Sequence, residues 1–145
     1  MAKTIYFVER YGAHHDSQAS PYLNKGILNP RGVPNINIIA EDLRKDLSDR
    51  LGQEPEVPLF YHTDPVGTET AALIFDALGG QVKLVPRGGH RSFGNEKLLE
   101  LINGLADTAI IVDHRWTVRR ALEKLGFEKG FAHYKRIQLD TENPP

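Results

Sequence analysis

"TAIIVDHRWTVRRALEKLG", residues 108–126, changes its period at one point. Thr108–Val112 is an unbroken apolar, β-branched run of the kind buried on both faces of a sheet, whereas Val118, Ala121, Leu122 and Leu125 recur at helical spacing. Asp113, His114 and Arg115 lie between the two. Ionisable groups are costly to bury at such a junction, but they are useful where the N–H groups and positive dipole end of a helix face a ligand. The stretch therefore reads as a strand feeding a helix, with Asp113 and His114 at the mouth and Thr117 as the expected cap.

The same alternation extends in both directions. Thr4–Val8, Val57–Tyr61 and Gln81–Val85 are short runs rich in β-branched and aromatic residues, each close to a Gly, Pro or Asp signal. Helical periods separate them: Ile39, Leu43, Leu47 and Leu51; Ala71, Ile74, Phe75 and Leu78; Leu98, Ile102 and Leu105. Tyr134–Leu139 alternates in a way that suits a half-exposed edge strand, and residues 141–145 are expected to fray. The pattern predicts a single α/β domain over residues 1–145, built as a three-layer α/β/α sandwich around a mostly parallel central sheet. Gly12–Val33 lacks periodicity and reads as a long surface loop.

Composition agrees with one core. The 145 residues include 40% hydrophobic residues and no cysteine, which excludes disulfides and thiolate metal sites. Eighteen basic side chains against 19 acidic ones leave a net charge of −1, which gives no electrostatic case for nucleic-acid or membrane-surface binding. No apolar run of signal-peptide or membrane-spanning length is present, so the cytoplasm is the expected location.

Open parallel sheets bind ligands beyond the carboxyl ends of their strands. The residues expected there are Glu9-Arg10-Tyr11-Gly12 with His14-His15-Asp16, then His62-Thr63-Asp64, then Pro86-Arg87-Gly88-Gly89-His90, and Asp113-His114-Arg115. Five of the six histidines fall in these places, and His133 stands apart. Any one of them is explained by ordinary strand capping, whereas the set favours a site. With Arg10, Arg87 and Arg115 in reach of a helix N-terminus, the matching ligand is an anion, phosphate first. Arg119 and Arg120 read as solvated surface charges. Trp116 is either a core anchor for the last helix or a rim residue.

These motifs, taken in order, resemble the histidine phosphatase (phosphoglycerate mutase-like) superfamily, and within it the short phosphohistidine-phosphatase branch. "IYFVERYG" supplies a strand running into Arg10-Tyr11-Gly12, similar to the family's Arg-His-Gly. "LNPRGVPNI" resembles its Leu-Thr-x-x-Gly-x-x-Gln-Ala, and "YHTDPVGTETA" its Ser-Ser-Pro-x-x-Arg-Ala-x-x-Thr-Ala. "IIVDHRWTVRRALEKLG" is similar to the Val-Gly-His strand end, with His114 at the second catalytic histidine. The resemblance covers nearly the whole chain. It implies that His114 and Arg10 steady phosphoryl oxygens, with Thr63, Arg87 and Arg115 as further phosphate ligands, and that the substrate is a small phosphorylated molecule or a phosphorylated protein.

The departures bear on activity. Tyr11 stands where the family's nucleophilic histidine belongs, and a phenol with a pKa near about 10 is a poor nucleophile at neutral pH. Val66 occupies the place of the second arginine, and Asp113 replaces the glycine before the second histidine. The expectation is a phosphatase-like pseudoenzyme with weakened or lost hydrolysis of phosphate monoesters or phosphohistidine, unless His14 or His15 takes over as nucleophile or proton donor. No cofactor is expected on this reading. The alternative is a metal-dependent phosphoesterase, with divalent ions held among His14, His15, Asp16, His62, Asp64, Asp113 and His114 and a faint resemblance to the DHH phosphoesterases. A non-catalytic binding module is the third possibility.

Overall fold

Ala109–Val112 does form a strand, with Thr108 left just before it, and that strand does not stop before the charged residues. β4 spans Ala109–Asp113 and all five of its residues are buried. The structure is a computed structural model, which describes residues 2–9, 33–48, 56–63, 65–79, 81–88, 95–128, 130–131 and 133–140. The other strands are β1 (Ala2–Glu9), β2 (Val57–Tyr61), β3 (Val82–Pro86) and β5 (Tyr134–Asp140). The described helices are α1 (Val33–Leu47), α2 (Pro65–Ala77), α3 (Asn95–Gly104) and α4 (Arg115–Lys124).

The sheet runs in the order β3-β2-β4-β1-β5. Pairings of β1 with β4, β4 with β2 and β2 with β3 are parallel, and β5 lies antiparallel on β1. Strand alternation sorts the core into two clusters. Tyr6, Val8, Leu59, Ile110 and Val112 face α1 and α2 through residues such as Ile36, Leu43, Val66 and Ile74. Ile5, Phe7, Ile111, Ile137 and Leu139 face α3 and α4 through Leu98, Ile102, Val118 and Leu122. Each such fully buried aliphatic side chain contributes about 1.5–3 kcal/mol. The sandwich is therefore three-layered, with a mostly parallel sheet at its centre. Ile137 and Leu139 of β5 are buried while Arg136 and Gln138 are exposed, as expected of an edge strand.

Two local devices hold the face that carries α3 and α4. Lys3 is only 2% exposed, and its Nζ donates to the carbonyls of Ile102, Asn103 and Leu105 at 2.7, 3.3 and 3.1 Å. It thereby caps the C-terminal end of α3 with a cation. At the far end of α4, Gly126 adopts a φ of 87°, its N–H reaches the Glu123 carbonyl, and the Phe127 N–H reaches that of Leu122. That is a Schellman ending, for which a residue without Cβ is favoured.

The connections send the helices to opposite faces of the sheet. Helices α1 and α2, which follow β1 and β2, lie on one face, whereas α4, which follows β4, lies on the other. Because β1 and β2 are the two neighbours of β4, the carboxyl end of β4 lies at a topological switch, the position at which open α/β sheets bind ligands.

Candidate functional site

Asp113 closes β4 in register with Glu9, the last residue of β1. Both carboxylates belong to strands, and both are buried, at 0% and 3% exposure. The backbone N–H of His114 donates to Asp113 Oδ1 at 2.6 Å. His114 itself is the N-cap of α4: it has extended backbone, its carbonyl accepts the first helical bond from Val118, and its Nδ1 accepts from the Trp116 N–H at 3.3 Å. This corrects the expectation for Thr117, which lies buried in the first turn. Thr117 is not the cap because β4 runs on to Asp113 and the helix starts directly after His114. With Nδ1 accepting, the imidazole carries its proton on Nε2 and is a donor toward an anion.

Arg115 is not simply turned toward solvent. Its Nη2 lies 3.3 Å from both carboxylate oxygens of Glu9, with its side chain 33% exposed against 4% for Glu9. The Nε of Arg115 is buried with no acceptor among the described residues. His133 completes the group: its Nδ1 lies 2.8 Å from Glu9 Oε2, and the Glu9 N–H donates to the His133 carbonyl at 2.9 Å. Glu9 would repel an anion if left alone, but here it is matched by a guanidinium and an imidazole.

His133, read from sequence as the histidine away from the strand ends, is thus at the same rim. An antiparallel β5 beside β1 brings the residue before β5 to the carboxyl end of β1. The signal was the charged, alternating edge strand, but strand order was needed to interpret it.

The remaining candidates are spread more widely. His62 is buried one residue beyond β2, and Thr63 is exposed with its N–H donating to the Gly88 carbonyl at 2.8 Å. Arg87 is exposed at the end of β3, two strands from β4, so roughly 10 Å separates those strand axes. Val66, read from sequence as standing in the place of a second arginine, is buried in the apolar core. Trp116 is no core anchor: it is 61% exposed, with the Arg119 guanidinium 5.1 Å above its ring. Arg119 also donates to the Phe131 carbonyl at 2.9 Å, so it is more than a solvated charge. Arg10, Tyr11, His14, His15, Asp16, Asp64 and His90 lie outside the described residues. Among the described residues no three His, Asp or Glu side chains are grouped to hold a metal ion. None of the described helices is long and apolar enough to cross a membrane.

Solved structures share this arrangement. A protein taken to be the phosphohistidine phosphatase SixA of Agrobacterium tumefaciens superposes with a TM-score of 0.68 at 22% identity, covering 97% of this chain and 92% of that one. The chain has the histidine-phosphatase fold. A phosphoglycerate mutase from Plasmodium falciparum matches with a TM-score of 0.65 at 13% identity over 99% of this chain and 87% of its own. A mycobacterial glucosyl-3-phosphoglycerate phosphatase does so with a TM-score of 0.60 at 12% identity over 95% and 91%. No family model and no curated sequence matches the chain. At these identities the likeness shows the histidine-phosphatase fold and leaves the chemistry to the residues themselves.

Proposed function

We propose that this protein holds the phosphoryl group of a small phosphorylated molecule or a phosphorylated protein at the carboxyl end of β4, and that its phosphohistidine chemistry is impaired or lost. The observation that carries the reading is the pair at the start of α4. His114 caps α4 and Arg115 follows it, so the positive end of the helix and a guanidinium lie together at the topological switch of the sheet. An anion there meets the positive end of α4 and the cationic side chain beside it. Arg10, Thr63 and Arg87 are the further phosphate ligands on this reading. Tyr11, at the position of the nucleophile, accounts for the impairment, and no metal ion is required. His14 and His15 are the residues through which activity could have been retained. The cytoplasm is the setting in which such a ligand would be met.

The deciding experiment is a titration with phosphate and vanadate, followed by calorimetry or by histidine ring resonances. Wild type is expected to bind both, and His114→Ala to bind at least tenfold more weakly, a loss of about 1.4 kcal/mol. Equal affinity in the two proteins would remove the phosphate site. A parallel aryl-phosphate assay with EDTA and with added divalent ions tests the metal-free claim, which fails if activity follows the ions.

A further inference from the structure

We propose that Glu9 and His133 form a carboxylate–imidazole dyad in which His133 is the general base for direct attack of water on a phosphate monoester. The proposal rests on the phosphoryl site at β4 described above. It goes further by placing the proton acceptor on a residue from the opposite end of the chain.

The geometry has three parts. A carboxylate can only accept, so the 2.8 Å contact to Glu9 Oε2 puts the hydrogen of His133 on Nδ1 and leaves the lone pair on Nε2. The carboxylate is almost wholly buried, whereas the imidazole side chain is 39% exposed, so one end of the dyad is fixed and the other meets solvent. The backbone holds the same pairing through the Glu9 N–H and the His133 carbonyl. Described residues near His133 in sequence are tied to the body of the domain. Arg119 holds the Phe131 carbonyl, Phe131 is buried in the core, and Lys135 Nζ donates to the carbonyls of Glu128 and Gly130. An orienting partner for an imidazole and a ring that meets solvent are what a general base needs.

Placement relative to the ligand follows from the sheet. β4, β1 and β5 are adjacent, so the termini bearing His114, Glu9 and His133 line one rim, and two strand spacings of about 4.8 Å separate its ends. A phosphoryl group held by His114 and Arg115 lies between the two imidazoles. In the step, a water oxygen forms the new bond to phosphorus and its proton passes to His133 Nε2. The bond from phosphorus to the ester oxygen breaks with its electron pair on that oxygen. The imidazolium then returns its proton to the leaving oxygen or to solvent, so that water and monoester become alcohol and inorganic phosphate.

The test is hydrolysis of an aryl phosphate in EDTA, run beside inorganic phosphate binding. Wild type is expected to turn over slowly. His133→Ala should lower kcat about 10²-fold or more while KM and phosphate affinity change less than about threefold, and free imidazole should restore part of the rate. Glu9, a positioning residue, should show a kcat loss in Glu9→Gln that Glu9→Asp partly recovers. His133→Asn, which keeps a donor for Glu9, replaces the alanine variant if thermal melting shows that variant to be unfolded. Unchanged kcat in a folded His133 variant, or no response to imidazole, overturns the dyad. Phosphate binding without wild-type turnover also overturns it and leaves the β4 site standing, whereas absence of phosphate binding in wild type removes the β4 site itself.

Discussion

Replacing Arg115 with methionine removes the guanidinium partner of a carboxylate that is only 4% exposed, while preserving much of the apolar stem. Stripping a fully buried ion of its partner costs about 3–5 kcal/mol. Two features reduce that here. The Arg115 side chain is 33% exposed, so solvent screens the pair, and His133 keeps its 2.8 Å contact with Glu9. The expected loss is therefore about 1–2 kcal/mol, which for a domain of this size lowers Tm by roughly 3–6 °C. Calorimetric melting of wild type, Arg115→Met, Glu9→Gln and the double variant provides the assay. In the double variant the neutral amide no longer needs the guanidinium, so the two losses should fall short of additivity by about 1 kcal/mol. High salt should shrink the difference between wild type and Arg115→Met. An Arg115→Met variant within about 0.3 kcal/mol of wild type, or strict additivity, would show that the pair does not hold Glu9 and would refute the reasoning.

Three further outcomes are expected. Lys3→Met removes the ammonium donor from three carbonyls at the end of α3, of which that of Ile102 keeps the Leu105 N–H; although burial lowers the pKa of Lys3 and makes its charge costly, the net loss should be about 1–3 kcal/mol by denaturant midpoint with an unchanged slope. Tyr134 carries a buried hydroxyl with no partner among the described residues, and burial, followed by the nearby Asp46, raises its pKa above the usual value. The folded protein thus keeps this proton at a pH where the unfolded chain sheds it, so its contribution is complete below about pH 10 and is lost as pH rises further. Tyr134→Phe should be neutral or slightly stabilising at pH 7, and its melting temperature should fall less steeply than that of wild type above pH 10. Phe7→Ala, at a residue with no solvent exposure, should cost about 3–5 kcal/mol in denaturant unfolding.

The fold was legible because period and punctuation agreed along most of the chain. The unbroken apolar β4, the helical repeats on either side of it and the alternating β5 each state their environment locally. His114 could be placed between β4 and α4 on the same grounds. What stayed hidden depends on residues distant in sequence. Arg115 and Glu9 are 106 positions apart and His133 and Glu9 are 124 apart, so no window of sequence contains either pairing. The cap on α4 was misplaced for a smaller reason: a buried aspartate that donates nothing and accepts from the following N–H can end a strand as well as begin a turn.

The position of β1 has a bearing on how the protein is made. Both neighbours of this first strand, β4 and β5, come from the last third of the chain. Emerging from the ribosome, β1 has no lateral partner until nearly everything else has been synthesised, while β2 and β3 can already pair around α2. Such distant closure slows folding and leaves β1 an apolar ribbon waiting for its two neighbours.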